Sequence, residues 1–307
     1  MYDYFMSFNE NLVWQLFILG CDNIDVPLSR GLGGVILFTK DIQTEEQLKE
    51  KIAYIKNKSL ISPFISIDQE GGRVERTENI RSKRLSARNA FKNGKDFLQK
   101  QSEEISKELF GYGFNLNFAP CVDVNTNPNN PIIGERAFSD NTKDVILGST
   151  IFIESSRKYN IIPCVKHFPG HGDADKDSHL TLPVIDLTLK EMEEIHIKPF
   201  KNAINNNIEM IMAAHLYCTC FDKNELPSSL SKNAIGYLRN KLGYDGVIIS
   251  DDMVMQGVKK YGSLEACIMG LEAGLDMFIF RNSDEETIST IEEVAKHSKT
   301  DKLLAQN

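Results

Sequence analysis

No run of apolar residues in this sequence approaches the roughly 18 that a membrane-spanning helix needs, so no part of it is expected to enter a bilayer. The N-terminal segment carries Asp3 and Glu10 where a secretory signal would carry positive charge, and the expected location is the cytoplasm. No lysine and arginine stripe interleaved with aromatics offsets the net charge of −8, which would repel a polyanion. Nucleic acid is therefore not an expected partner. No biased or linker-like tract divides the chain. Cys21, Cys121, Cys164, Cys218, Cys220 and Cys267 lie singly in apolar segments, apart from one Cys-Thr-Cys, and lack the paired spacing of zinc sites. Buried free thiols are the expectation, Cys218 and Cys220 included, since a strand end can bring two thiols together without using them.

What the chain does have is enough apolar material for a large core: 41% of its 307 residues are hydrophobic and 25% charged. That length fits two ordinary domains or one large barrel. Short apolar runs, each sufficient for one buried strand, recur at 15–19, 34–38, 64–67, 116–119, 161–165, 210–214, 247–249 and 277–280. Between them, 44–55, 94–109, 189–204 and 234–242 read as amphipathic helices, with acids early and lysines late as helix dipoles favour. Parallel strands need crossover connections, and eight strand–helix units can close a sheet on itself. The expected fold is an α/β single (β/α)8 TIM-type barrel over 1–307, with an open doubly wound sheet as the alternative.

Both architectures gather their chemistry at the carboxyl ends of the strands. Polar residues stand there: Asp68, Asn117 and Asp123, Lys166 and His167, His215, and Asp251. Several such residues converging on one barrel mouth would make a polar pocket of sugar size.

The densest segment is Lys166-His167-Phe168-Pro169-Gly170-His171-Gly172, followed by Asp177-Ser178-His179. Proline and two glycines imply a tight loop leaving a buried strand. On that loop Asp177 can orient the imidazole of His179 and raise its basicity, as an acid/base pair requires. Two other readings stay open: His167 and His171 cap the loop, or His167, His171 and His179 bind a metal with Asp173 or Asp177. A second segment, Gly246 to Met253, ends an apolar strand in Asp251-Asp252. Successive strand residues face opposite ways, so one acid can face the axis while the other caps the following turn. A third, Ile67-Asp68-Gln69-Glu70-Gly71-Gly72-Arg73 with Arg76 beyond, sets carboxylates beside cations and suits a grip on sugar hydroxyls.

Taken together, these segments resemble glycoside hydrolase family 3, and within it the bacterial β-N-acetylglucosaminidases that act on peptidoglycan fragments. The resemblance also covers Gly-Gly-Val-Ile-Leu-Phe at 33–38, Asn-Phe-Ala-Pro at 117–120, Gly-Glu-Arg-Ala-Phe at 134–138, Ala-Ala-His at 213–215 and Ser-Asp-Asp at 250–252. It implies Asp251 as nucleophile, His179 as acid/base with Asp177 as its partner, and Asp68, Arg76, Arg136, Lys166 and His167 at sugar-binding positions. Met253 and the Lys40-Asp41 pair depart from the family's usual residues without touching a proposed catalytic atom.

The resulting expectation is a retaining exo-β-N-acetylglucosaminidase that removes non-reducing terminal N-acetylglucosamine from peptidoglycan-derived fragments through a covalent glycosyl-enzyme. Its partner would be a small carbohydrate of the N-acetylglucosaminyl-anhydromuramyl type. It would be a monomer, with no cofactor and no metal. The alternatives are a family 3 β-glucosidase, β-xylosidase or glycoside phosphorylase, a metal-dependent hydrolase, and a sugar sensor without turnover.

Overall fold

A computed structural model describes residues 11–174 and 182–300. Asp177 and His179 lie outside the described residues.

Eight strands form a closed parallel barrel: β1 (Phe17–Gly20), β2 (Gly34–Leu37), β3 (Phe64–Ile67), β4 (Leu116–Asn117), β5 (Ile162–Phe168), β6 (Met210–Ala213), β7 (Val247–Asp252) and β8 (Met277–Phe280). Each pairs with its sequence neighbours, and β1 closes the ring by pairing Phe17 with Phe278 on β8. The closed barrel, rather than the open sheet, is the architecture.

Alternation along each strand sorts side chains into two cores. Ile18, Ile36, Cys164, Met210, Met212, Ile249, Met277 and Ile279 fill the barrel interior. Phe17, Leu19, Val35, Leu37, Ile65, Ile67, Ile211, Ile248, Phe278 and Phe280 face the surrounding helices. The helix Glu45–Lys58 shows how that outer layer is specified. The Thr44 hydroxyl accepts from the Gln47 N–H, Glu45 and Glu46 occupy the first turn, and Lys56 and Lys58 the last. Its buried residues Leu48, Ile52 and Ile55 recur at helical spacing, each worth about 1.5–3 kcal/mol when fully buried.

Several expected elements differ in the structure. The first strand begins at Phe17 rather than residue 15, because Asn11–Trp14 form a helical turn that holds Gln15 and Leu16 by their N–H groups. The helix expected over 189–204 is broken into Leu189–Glu191, a π-helical turn Met192–His196, and Lys198–Asn205. Pro199 has no N–H to donate to the preceding turn, so it stands near the start of a new helix instead of inside a longer one. The helix expected over 234–242 likewise passes from Lys232–Gly236 into a π-helical turn, Tyr237–Lys241. The fifth strand extends to Phe168, so Lys166 and His167 lie in the strand itself and not in the loop after it.

Candidate active site

Strand periodicity decides which polar residues reach the mouth of the barrel. Asp68 continues the inward row of Phe64 and Ser66, Lys166 that of Ile162 and Cys164, and Asp251 that of Val247 and Ile249. All three line one cavity of about 450 Å³ together with Arg76, Arg136 and His167. That volume lies within the range of small-ligand sites. The structure thus brings Asp68, Arg76, Arg136, Lys166, His167 and Asp251 around a single space.

On one side of this space the charges close on one another. Lys166 Nζ lies 2.7 Å from Asp68 Oδ1 and 2.7 Å from Glu70 Oε1. Arg136 grips the same Glu70 with two bonds, Nε to Oε2 at 2.9 Å and Nη2 to Oε1 at 2.8 Å. Burial opposes all three charges, yet mutual pairing outweighs it: Glu70 is held well below its ordinary carboxyl range, and Arg136 and Lys166 are raised above theirs. Arg76 is looser, its Nη2 3.9 Å from Asp68 and its guanidinium 5.7 Å from the centre of the Phe38 ring.

A second buried unit holds His167. Its Nδ1 lies 2.7 Å from Asp123 Oδ2, and its Nε2 3.3 Å from Arg136 Nη2. The backbone N–H of His171 donates to Asp123 Oδ1 at 2.7 Å, so one carboxylate anchors both the ring of His167 and the start of the loop. Burial pushes the Asp123 carboxyl up, but His167 and then His171 bring it well below the usual range. Among the described residues His171 caps nothing with its side chain: both ring nitrogens are buried without a hydrogen-bond partner there, and burial lowers the imidazole to about 4. The loop needs its glycines for space: a Cβ on Gly172 would stand 1.8 Å from the Val124 carbonyl oxygen, and one on Gly170 2.6 Å from His196 Cβ.

The opposite side of the cavity is sparser. Asp251 accepts the Asp252 backbone N–H at 2.8 Å and, among the described residues, forms no ion pair. Burial raises its carboxyl, but His167, His215, that N–H and Lys166 together take it below its ordinary value. His215, buried behind it, shares Nδ1 with the Ser229 hydroxyl at 2.7 Å, and its Nε2 has no partner among the described residues. Asp252 is tied elsewhere: Oδ2 lies 2.6 Å from Arg281 Nε, and Oδ1 accepts the Val254 and Arg281 N–H groups, each at 3.1 Å. Both acids border the cavity, but Asp252 caps a turn and pairs with Arg281, while Asp251 has no cation partner among the described residues.

Asn117 does not line the cavity. Its amide bridges to the Gln69 backbone, accepting at 2.9 Å and donating at 3.0 Å, which fixes the carboxyl end of β3 where Asp68 begins. Glu70 and Asp123 gain the most from the structure, as buried anions that seat Arg136 and Lys166 on one and His167 on the other. Only their partners, 66 and 44 residues away, reveal that.

Cys121, Asp123 and His167 hold three donor atoms within 4.8 Å of one another, all buried. Their chemistry does not suit a cation. Burial and the charge of Asp123 raise the Cys121 thiol well above its ordinary value, so it stays protonated and donates to Asp123 at 3.2 Å. Asp173, a ligand in the metal reading, instead accepts the Thr126 hydroxyl at 2.7 Å.

Comparison with known proteins agrees with this geometry. Beta-hexosaminidase A of Pseudoalteromonas piscicida is 33% identical over 269 residues, which cover 80% of this chain and 45% of that protein. Beta-hexosaminidase of Haemophilus influenzae is 32% identical over 271 residues, covering 85% of this chain and 76% of that one. The structure of a glycoside hydrolase family 3 beta-N-acetylglucosaminidase from Paenibacillus sp. str. FPU-7 matches with a TM-score of 0.90 at 28% identity, over 98% of this chain and 60% of the other. The chain thus spans 45% to 76% of these relatives' own lengths. Residues 25–306 match the glycosyl hydrolase family 3 N terminal domain, and the chain belongs to that family.

Proposed function

We propose that this protein is a retaining exo-β-N-acetylglucosaminidase that releases non-reducing terminal N-acetylglucosamine from peptidoglycan-derived fragments in the cytoplasm. One observation carries the assignment of chemistry: among the described residues Asp251 faces the cavity without a cation bound to it, whereas Asp68, Glu70 and Asp252 are each closed by at least one. Its depressed carboxyl keeps it ionised at neutral pH, as a nucleophile must be. Asp68, Arg76, Arg136, Lys166 and His167 would hold the sugar hydroxyls from the closed side. The Asp251 carboxylate attacks the anomeric carbon while His179, oriented by Asp177, gives its proton to the departing oxygen. His179 then takes a proton from the water that cleaves the glycosyl ester.

Similarity to two beta-hexosaminidases and to a beta-N-acetylglucosaminidase supports the N-acetyl sugar. Six free cysteines fit a reducing compartment. Trapping with a 2- or 5-fluoro glycosyl fluoride, followed by peptide mapping, tests reaction class and nucleophile together. A glycosylated Asp251 is expected; label on another residue, or none, overturns the assignment. Parallel assays on nitrophenyl N-acetylglucosaminide and nitrophenyl glucoside test the substrate, and faster turnover of the glucoside would overturn it.

A further inference from the structure

Beside the barrel mouth, Val184–Ile185 and Tyr217–Cys218 form a two-stranded parallel sheet that belongs to no part of the sugar cavity. Beneath it Ala174, Ile185, Met192, Ile197, Ala214, Leu216 and Cys218 make a small separate core. The chain turns directly after this strand, with the Phe221 N–H donating to the Cys218 carbonyl at 3.1 Å. That turn returns Cys220 to Cys218, and the two sulfurs stand 3.3 Å apart.

We propose that Cys218 and Cys220 are a peroxide-reactive dithiol that closes to a reversible disulfide, with Cys220 as the attacking sulfur. The sulfurs are already in contact, so bond formation needs a small approach and not a rearrangement of the loop. Exposure assigns the roles: Cys218 is 1% exposed, while Cys220 is open in part to solvent. The acidities agree. Either sulfur can donate in this contact; with Cys218 as the donor, the bond lowers Cys220 below the ordinary thiol value, whereas Cys218 is raised above it by that same bond and by burial.

The Cys220 thiolate attacks one peroxide oxygen, the O–O bond breaks, and the departing hydroxide takes up a proton to leave as water. The product is a sulfenic acid on Cys220. The Cys218 sulfur then attacks Cys220, the S–S bond forms, the S–O bond breaks, and a second water leaves with the Cys218 proton. Two thiols and one peroxide give one disulfide and two waters.

The native protein is treated with hydrogen peroxide, alkylated with iodoacetamide, and the peptide containing both cysteines is weighed. The expected product is a peptide lighter by two hydrogens, without alkyl groups, that a dithiol reductant restores to a doubly alkylated form. In Cys218→Ser, Cys220 should stop at the sulfenic acid and be captured by dimedone. In Cys220→Ser, Cys218 should react more slowly than Cys220 does, by roughly tenfold or more. Full alkylation of both residues after peroxide overturns the proposal, as does Cys220 sulfinate beside an unoxidised Cys218. Because the readout is mass and not turnover, the result stands apart from the assignment of Asp251.

Discussion

On the side of the cavity built by β3, β4 and β5, Lys166 spans Asp68 and Glu70, Arg136 grips Glu70 twice, and Asp123 holds His167. Across from it, on β7, Asp251 has, among the described residues, one backbone N–H, and His215 behind it keeps a nitrogen without a partner there. Charges already paired with one another have little left to gain in a transition state; they bind and orient. A carboxylate left open can form a new bond, because no ion pair must break first. The contrast separates a holding side from a reacting side.

The largest effect is expected on the open side. Asp251→Ala should lower kcat by several orders of magnitude with the fold intact, since nothing else in the cavity replaces a covalent nucleophile. Azide should restore part of the rate and yield a glycosyl azide of inverted configuration. Near-normal turnover in this variant would erase the distinction between the two sides.

The holding side should answer in stability instead. Glu70→Gln preserves shape but leaves Arg136 without its counter-charge and Lys166 with Asp68 alone, at a cost of about 3–5 kcal/mol in urea unfolding. Asp251→Asn should stay within about 1 kcal/mol of the parent, because no ion pair is lost. If the two substitutions cost the same, Asp251 is as deeply committed to the fold as Glu70, and the comparison fails.

Much of this arrangement is legible in the sequence. All eight strands can be read from apolar runs because barrel strands are buried on both faces, and for 64–67 and 277–280 the bounds coincide with β3 and β8. Alternation also separates Asp251 from Asp252. The pairings are another matter. Lys166 finds Asp68 across 98 residues and Arg136 finds Glu70 across 66, and nothing local marks Glu70 as an anchor for two cations. Glu70 can equally be read as a spare general acid until its partners are known. The broken helix around Pro199 is a different lesson: the apolar period runs through the proline, and the missing N–H decides against it.

Next in size is a pH effect on the loop after β5. His171 is buried and lowered from 6.5 to about 4, so the folded state prefers the neutral ring. Above pH 6.5 the ring is neutral in both states and the full stability is present. As pH falls toward 4 the unfolded chain binds the proton first, and about 3 kcal/mol is lost. Glu70 and Asp123 are depressed carboxyls, so their contribution persists through that window and declines only below about pH 4. His171→Gln should reduce the slope of unfolding free energy between pH 6.5 and 4, with a remainder from His196 and His215, which burial also lowers, and leave the steeper acid loss in place. An unchanged slope in that variant would show that the ring is not held neutral by burial.

The smallest effect is expected at the residue most easily mistaken for the nucleophile. Asp252 follows Asp251 directly, but its oxygens are taken by Arg281 and by two backbone N–H groups. Asn at this position keeps an oxygen for those N–H groups and loses only the charge opposite Arg281, whose side chain is 46% exposed, so solvent screens most of the pair's value. Stability should fall by about 1 kcal/mol or less, and kcat/KM by less than about tenfold. Asp252→Asn also removes a negative charge beside Asp251. That neighbour then ionises more readily, and the acid limb of the rate profile should move to lower pH, which a purely structural loss would not produce. If Asp252→Asn instead abolishes turnover and azide rescues it while Asp251→Asn stays active, the two acids exchange roles, and the open side of the cavity is not where the bond forms.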